Sequence, residues 1–205
     1  MNGISAILLA AGAGSRFGGG KLLAELDGRP LIEHTLAALR EAPVDDVVAV
    51  ISPDADRLRE VCGSYEVRIV ENPEWAKGQS TSVKAGIRAM GPEARAAVVM
   101  LGDQPLVGPE AMRRLVAAFE NGARMAVATY GGKRRNPALF SRELWPLLLE
   151  ELSGDEGARR FMRHHGDLVV EISCDEAGNP ADVDTKEDLR RLEGSRRRVS
   201  DYKIG

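Results

Sequence analysis

The chain has 205 residues, 43% of them hydrophobic and 29% charged, with a formal net charge of −3. This length and balance fit one globular domain with an ample core, and a sequence pI of about 5.7 excludes a general nucleic-acid binder, whose footprint would be a basic surface. No apolar run approaches the roughly 20 residues that span a bilayer, and the opening segment lacks the cationic and long apolar stretches of a signal peptide, so a cytoplasmic protein with no membrane partner is expected.

The first informative stretch is Ile7 to Lys21, an apolar run that ends in glycines and two cations. It reads as a buried strand delivering a phosphate-binding loop. Glycine lacks a Cβ, so Gly12, Gly14 and Gly18 to Gly20 let backbone N–H groups approach an anion, while Arg16 and Lys21 supply positive charge as solvated loop cations. Two familiar loops do not fit. A Walker A loop needs glycine where Ser15 stands and Ser or Thr where Leu22 stands, and a dinucleotide fingerprint needs glycine at Phe17.

From Pro30, the apolar positions Leu31, Ile32, Leu36 and Leu39 repeat at helical spacing. Val47 to Ile51 reads as a strand, Asp54 to Val61 as a short helix, and Glu66 to Val70 as another strand. After a loop from Asn72 to Gln79, Ser80, Thr81 and Ser82 resemble N-cap residues for a helix from Val83 to about Met90. Ala96 to Leu101 is apolar throughout and so a central strand, Pro109 to Asn121 a helix, and Arg124 to Tyr130 a strand. Such alternation implies a parallel sheet with right-handed crossovers in an α/β fold.

The pattern then becomes irregular. Gly131 to Arg135 reads as a turn, Pro137 to Phe140 as a short strand, Ser141 to Leu152 as a helix, Phe161 to His165 as helical, and Asp167 to Ser173 as a late strand. Thr185 would cap a last helix, Lys186 to Leu192, with Asp188 in the reciprocal position. The expected organisation is a single domain over 1–193, with 1–130 its nucleotide-binding half and 131–193 its acceptor-facing half. Residues 194–205 are expected to be a flexible, solvated tail.

Cys62 and Cys174 lie far apart, without a second Cys or His at ligand spacing, so neither a disulfide framework nor a zinc site is indicated. His34 falls inside a helical pattern, and His164 and His165 end another helix, where a cation suits the macrodipole. Asp103 follows the central strand at its carboxyl end, where open α/β sheets bind ligands. Asp184 precedes the last helix and can return to the same crevice, as can Asp182, because periodicity does not say which of the two points inward.

The stretches LLAAGAGSRFGGGKLLAELDGRPLIEHTL, NPEWAKGQSTSVKAG, LGDQP, LSGDEGAR and DVDTKEDL together resemble, in the same order, the MobA-like nucleotidyltransferases, nearest to the molybdenum cofactor cytidylyltransferase branch. The resemblance implies a three-layer, mostly parallel, nucleotide-diphospho-sugar transferase-like (GT-A/Rossmann-like) fold. It implies Mg²⁺ held by Asp103 and Asp184, with Asp184 favoured over Asp182. Leu9, Ala11, Gly12 and Gly14 would approach the nucleotide, joined by Lys21 at the triphosphate and by Asn72, Ser80 and Ser82 near base or ribose. Arg16, Lys21 and Asp103 would carry the chemistry.

The implied partners are an NTP, with CTP favoured by Ala11 in place of a second glycine, and a phosphorylated acceptor such as molybdopterin cofactor. A molybdoenzyme or its chaperone is a candidate recipient of the product. Lys133, Arg134, Arg135 and Arg159 suggest an acceptor site. Arg135-Asn136-Pro137 departs from the Gly-His-Pro or Gly-Arg-Pro of relatives.

Overall fold

The computed structural model describes residues 2–201, with side chains described through residue 194. Its centre is β1 (Ile4–Leu9), six residues that are all buried. A strand buried on both faces must satisfy two cores at once, and alternation does this: Ile4, Ala6 and Leu8 enter one apolar cluster, and Ile7 and Leu9 the other. A small hairpin follows, β2 (Glu25–Leu26) with β3 (Arg29–Pro30).

The helices α1 (Leu31–Glu41) and α2 (Asp56–Gly63) bracket β4 (Asp46–Ile51), and β5 (Arg68–Glu71) leads to α3 (Gln79–Arg88). Next come β6 (Ala96–Leu101), α4 (Pro109–Glu120), β7 (Met125–Tyr130) and β8 (Lys133–Ser141). The chain ends with α5 (Trp145–Glu151), α6 (Arg159–His164), β9 (Val169–Ser173) and α7 (Lys186–Asp201). The seven-stranded sheet has the order β5-β4-β1-β6-β8-β7-β9, parallel except where β8 pairs antiparallel with β6 and β7. Side chains of α1, α2 and α4 fill one face, and those of α3, α5 and α6 the other, giving the expected three layers.

Several boundaries differ from those expected. Only Gly131 and Gly132, at φ 56° and 69°, form the turn, while Lys133 to Arg135 already belong to β8. Two left-handed residues suffice for a tight hairpin, and the exposed basic run hides the strand because it lacks hydrophobic alternation. Helix α3 starts at Gln79 with Gly78 as its cap, so Ser80 to Ser82 form its first turn and do not precede it. Ser141 closes β8, and a short 3₁₀ turn, Arg142–Leu144, separates it from α5.

The backbone of α7 also continues past the expected end at Leu192. Of the expected tail, 194–205, the backbone through Asp201 belongs to α7, while the side chains from 195 and all of 202–205 lie outside the described residues.

One contact sets how closely α3 lies on the sheet. A Cβ at Gly86 would run into Ile7 Cγ2, so the helix rests directly on β1 there. Gly86→Ala is expected to destabilise the protein by about 1–3 kcal/mol despite alanine's better helix propensity, because overpacking a filled core outweighs it. Urea denaturation checks this, and an unchanged midpoint would mean that the layers separate freely.

Candidate active site

The site forms where β1 and β6 end together, Leu9 pairing with Leu101. Segment 177–184 returns along the stretch that follows β6. Gly108 N donates to Ala177 O at 3.1 Å, Asn179 N to Leu106 O at 2.9 Å, and Val183 N to Asp103 O at 3.0 Å. Val183 is fully buried in a small core with Phe17, Leu26, Leu31 and Leu192. That core contains a residue of the glycine-rich loop and residues of α7, so it holds Arg16 and Lys21 near Asp184. Thr185 caps α7 as expected, with Asp188 Oδ2 accepting from Thr185 N at 2.9 Å and Oγ1 at 2.7 Å, and Asp188 N donating back to Thr185 Oγ1 at 3.2 Å.

Lys21 is the hub. Its Nζ lies 2.6 Å from Asp103 Oδ2 and 3.2 Å from Asp184 Oδ1, and Arg16 reaches Asp184 Oδ2 at 3.5 Å. Burial pulls the Lys21 ammonium down, but the charges and hydrogen bonds of Asp103, then Asp184, prevail and hold it above the ordinary lysine value. With side-chain exposures of 13% and 20%, Lys21 and Asp103 form an enclosed pair, so Lys21 is not the solvated loop cation that the sequence suggests. Gly14, at φ 58°, seats it: a Cβ there would stand 3.0 Å from Lys21 Cβ.

The other oxygen of Asp103, Oδ1, is buried and has no partner among the described residues. An orphaned carboxylate oxygen beside a second carboxylate is what a hard divalent cation takes, and Mg²⁺ needs few protein ligands. The residues therefore fit a divalent metal, although among the described residues no group of three or more His, Cys, Asp or Glu is arranged to hold one. Asp184, not Asp182, shares Lys21 with Asp103. Asp182 accepts instead from Gln104 Nε2 at 2.8 Å, and burial, then the charge of Asp103, raises its carboxyl above the usual range.

A cavity of about 310 Å³ opens beside this cluster, and Leu9, Ala11, Gly12, Lys21, Ser82 and Asp103 all line it. Asn72 and Ser80 are buried but absent from its wall. Asn72 Nδ2 donates to Thr81 Oγ1 at 2.8 Å and Ser82 Oγ at 3.0 Å, tying β5 to α3, and Ser80 Oγ donates to Gly154 O at 2.7 Å. Both hold the wall in place.

Gln79, which the resemblance also places near base or ribose, lines the cavity, as do Trp75 and Asp155, which the sequence does not single out. Their signal is the facing pair Gly78 and Gly154. Gly78 has φ 115°, and a Cβ on it would meet Gly154 C at 2.5 Å, so segment 154–157 folds against the start of α3 and brings Asp155 with it.

A second cavity of about 250 Å³ lies between β6, β7 and α6, lined by Gln104, Arg134, Arg135, Arg159 and Asp182 among others. Opposite it the β7–β8 register shifts between Val127 and Ala128, leaving Asn136 and Pro137 unpaired and Asn136 on the cavity wall. Lys133 is not on this wall. Two of the three histidines are engaged elsewhere: His34 Nε2 with Leu26 O at 2.9 Å, and His165 Nε2 with Glu151 Oε2 at 3.0 Å. Both cysteines are free and buried, and burial pushes the Cys62 thiol up to about 11. No helix among the described residues is long and apolar enough to cross a membrane.

Residues 6–169 match the MobA-like NTP transferase domain. The chain is 32% identical over 197 residues to nicotine blue oxidoreductase from Paenarthrobacter nicotinovorans, which covers 92% of this chain and 96% of that protein. It is 36% identical over 126 residues to 3-deoxy-manno-octulosonate cytidylyltransferase from Anaeromyxobacter sp. (strain K), which covers 62% of this chain and 51% of that one. Among solved structures, Rv0371C from Mycobacterium tuberculosis in complex with manganese superposes with a TM-score of 0.78 at 29% identity, covering 94% of this chain and 98% of that chain. With its strand order, its glycine-rich loop and this match over most of its length, the chain belongs to the MobA-like NTP transferase family, within the nucleotidyltransferases.

Proposed function

We propose that this chain transfers a nucleotidyl group from CTP to the terminal phosphate of molybdopterin cofactor, releasing pyrophosphate, with Mg²⁺ held by Asp103 and Asp184. The observation that carries the reading is Lys21 Nζ set between those two carboxylates, beside a cavity walled by the backbone of the first loop. An acceptor phosphate oxygen would bond to the α-phosphorus, and the α–β bridging bond would break with its electron pair leaving on pyrophosphate. Bound Mg²⁺ would offset charge on the phosphate oxygens. Lys21 and Arg16 supply further positive charge, the backbone from Leu9 to Gly12 bounds the nucleotide, and the acceptor phosphate, already ionised near neutral pH, needs no general base.

The test follows pyrophosphate release from CTP and from GTP, with molybdopterin cofactor as acceptor. CTP is expected to be preferred by about tenfold or more in kcat/KM. Ala11, 4% exposed, puts a methyl group on the cavity wall, where it crowds a purine more than a pyrimidine. Ala11→Gly should therefore narrow the preference while CTP use persists, since one methyl group contributes only about 1–3 kcal/mol. A parent enzyme that prefers GTP would refute the cytidylyl assignment.

A second reading, redox chemistry on the same scaffold, is favoured by the identity to nicotine blue oxidoreductase along nearly the whole chain. A thermal-shift comparison of NTPs with Mg²⁺ against NAD(P) and flavins separates the two, because a ligand at a hundred times its Kd stabilises the folded state by about 2.7 kcal/mol.

A further inference from the structure

One buried acceptor at the second cavity has no partner among the described residues. Gln104 is 2% exposed, and its amide orientation is fixed, because Nε2 donates both to Pro180 O at 3.2 Å and to Asp182 Oδ1 at 2.8 Å. Exchanging the two ends of the amide would set oxygen against oxygen. Oε1 is thus committed as an acceptor, and it is buried without a partner among the described residues. Buried polar atoms are almost always paired, so an orphan on a cavity wall marks the place of a ligand's donor. Asp182 lines the same cavity and contributes carboxylate oxygens, which also accept.

The rest of the cavity has the opposite character. Leu101, Val127 and Met162 form apolar wall, and guanidinium groups stand around them. Arg134 pairs with Glu171 at 2.7 Å and Arg163 with Glu156 at 2.8 Å, but neither Arg135 nor Arg159 has an ion-pair partner among the described residues. A complementary ligand therefore carries N–H donors, an apolar body and an anionic group.

We infer that Gln104 Oε1 and the Asp182 carboxylate form an acceptor pair for adjacent N–H donors of an amino-substituted heterocycle whose phosphate meets Arg135 and Arg159. A ring N–H next to an exocyclic amino group, as on a 2-amino-4-oxopyrimidine edge, presents two such donors side by side. The inference rests on the transfer reading only in making this heterocycle the acceptor. It assigns selection of the acceptor's ring to the residue after the metal-site aspartate.

The experiment titrates the intact protein with fluorescent 6-hydroxymethylpterin phosphate and with its lumazine counterpart, in which an oxygen replaces the 2-amino group. The pterin is expected to bind at least about tenfold more tightly, because the analogue sets an acceptor against an acceptor. Gln104→Met, and independently Asp182→Asn, should shrink that ratio towards one, whereas Arg159→Ala should weaken both probes alike.

Equal binding of the two probes by the parent protein, or binding of neither, overturns the inference whatever the variants do. Pterin selectivity without any nucleotidyl transfer would refute the transfer reading and leave this inference standing. Transfer from CTP with indistinguishable probes would do the reverse.

Discussion

Asp103→Asn is expected to lower kcat/KM for nucleotidyl transfer by at least about 10²-fold while the protein stays folded. The substitution keeps size and shape at the end of β6 and removes one negative charge from a group whose Oδ2 meets Lys21 and whose Oδ1 is buried without a partner. An amide oxygen can still accept from the Lys21 ammonium, so the loss falls on metal binding more than on packing. Asp184→Asn should be milder, since Asp184 is 45% exposed and meets Lys21 at a longer distance. Some activity should return with Mn²⁺ in that variant. Pyrophosphate release measured across a Mg²⁺ series, beside thermal unfolding of each variant, checks both. Parent-like turnover of Asp103→Asn at limiting Mg²⁺ would falsify the metal assignment.

The parallel half of the fold was legible because its central strands are buried on both faces and its helices repeat cleanly. β6 announces itself as an unbroken apolar run, the expected strand Ala96 to Leu101 coinciding with the observed one, and β1 is marked by the apolar residues that follow Ser5. The second half was less legible for a physical reason. The amino-terminal half of β8 is a solvated basic ribbon that pairs through its backbone, and its residues show none of the alternation that marks a half-buried strand. The start of α3 was displaced because three hydroxyl residues resemble a cap. Here Gly78 occupies the cap position, and Thr81 Oγ1 donates to its carbonyl at 2.8 Å.

Within the site, the residues legible from sequence were those whose chemistry is unusual for their place. A lysine and an arginine in a glycine-rich loop, and an aspartate at the end of a central strand, stand out in one dimension. The residues that complete the cavity wall do not, because their position depends on a contact between Gly78 and Gly154 that no periodicity reveals. Periodicity could not separate Asp182 from Asp184 for the same reason, and only the family resemblance favoured Asp184. Burial of Val183 in the core that also holds Phe17 fixes the segment, and hydrogen bonding of Asp182 to Gln104 leaves Asp184 to face Lys21.

Lys21→Ala is expected to weaken NTP use by roughly tenfold to a hundredfold, the loss of one charge-assisted hydrogen bond to a polyanion. Its effect on stability should be larger than a loop cation would give. Removing the ammonium leaves Asp103 enclosed with neither oxygen paired, and leaves Asp184 nearby with only Arg16 to offset it. Breaking a fully buried pair costs about 3–5 kcal/mol, and partial exposure of all three side chains reduces this to about 1–3 kcal/mol. The two carboxylates, freed of their shared cation, should then gain more stability from added Mg²⁺ or Mn²⁺ than they do in the parent. Urea denaturation with and without divalent metal, beside NTP affinity, reads all three effects. If Lys21→Ala matches the parent in stability, metal response and NTP affinity, Lys21 is a turn residue, and the loop has no part in binding phosphate.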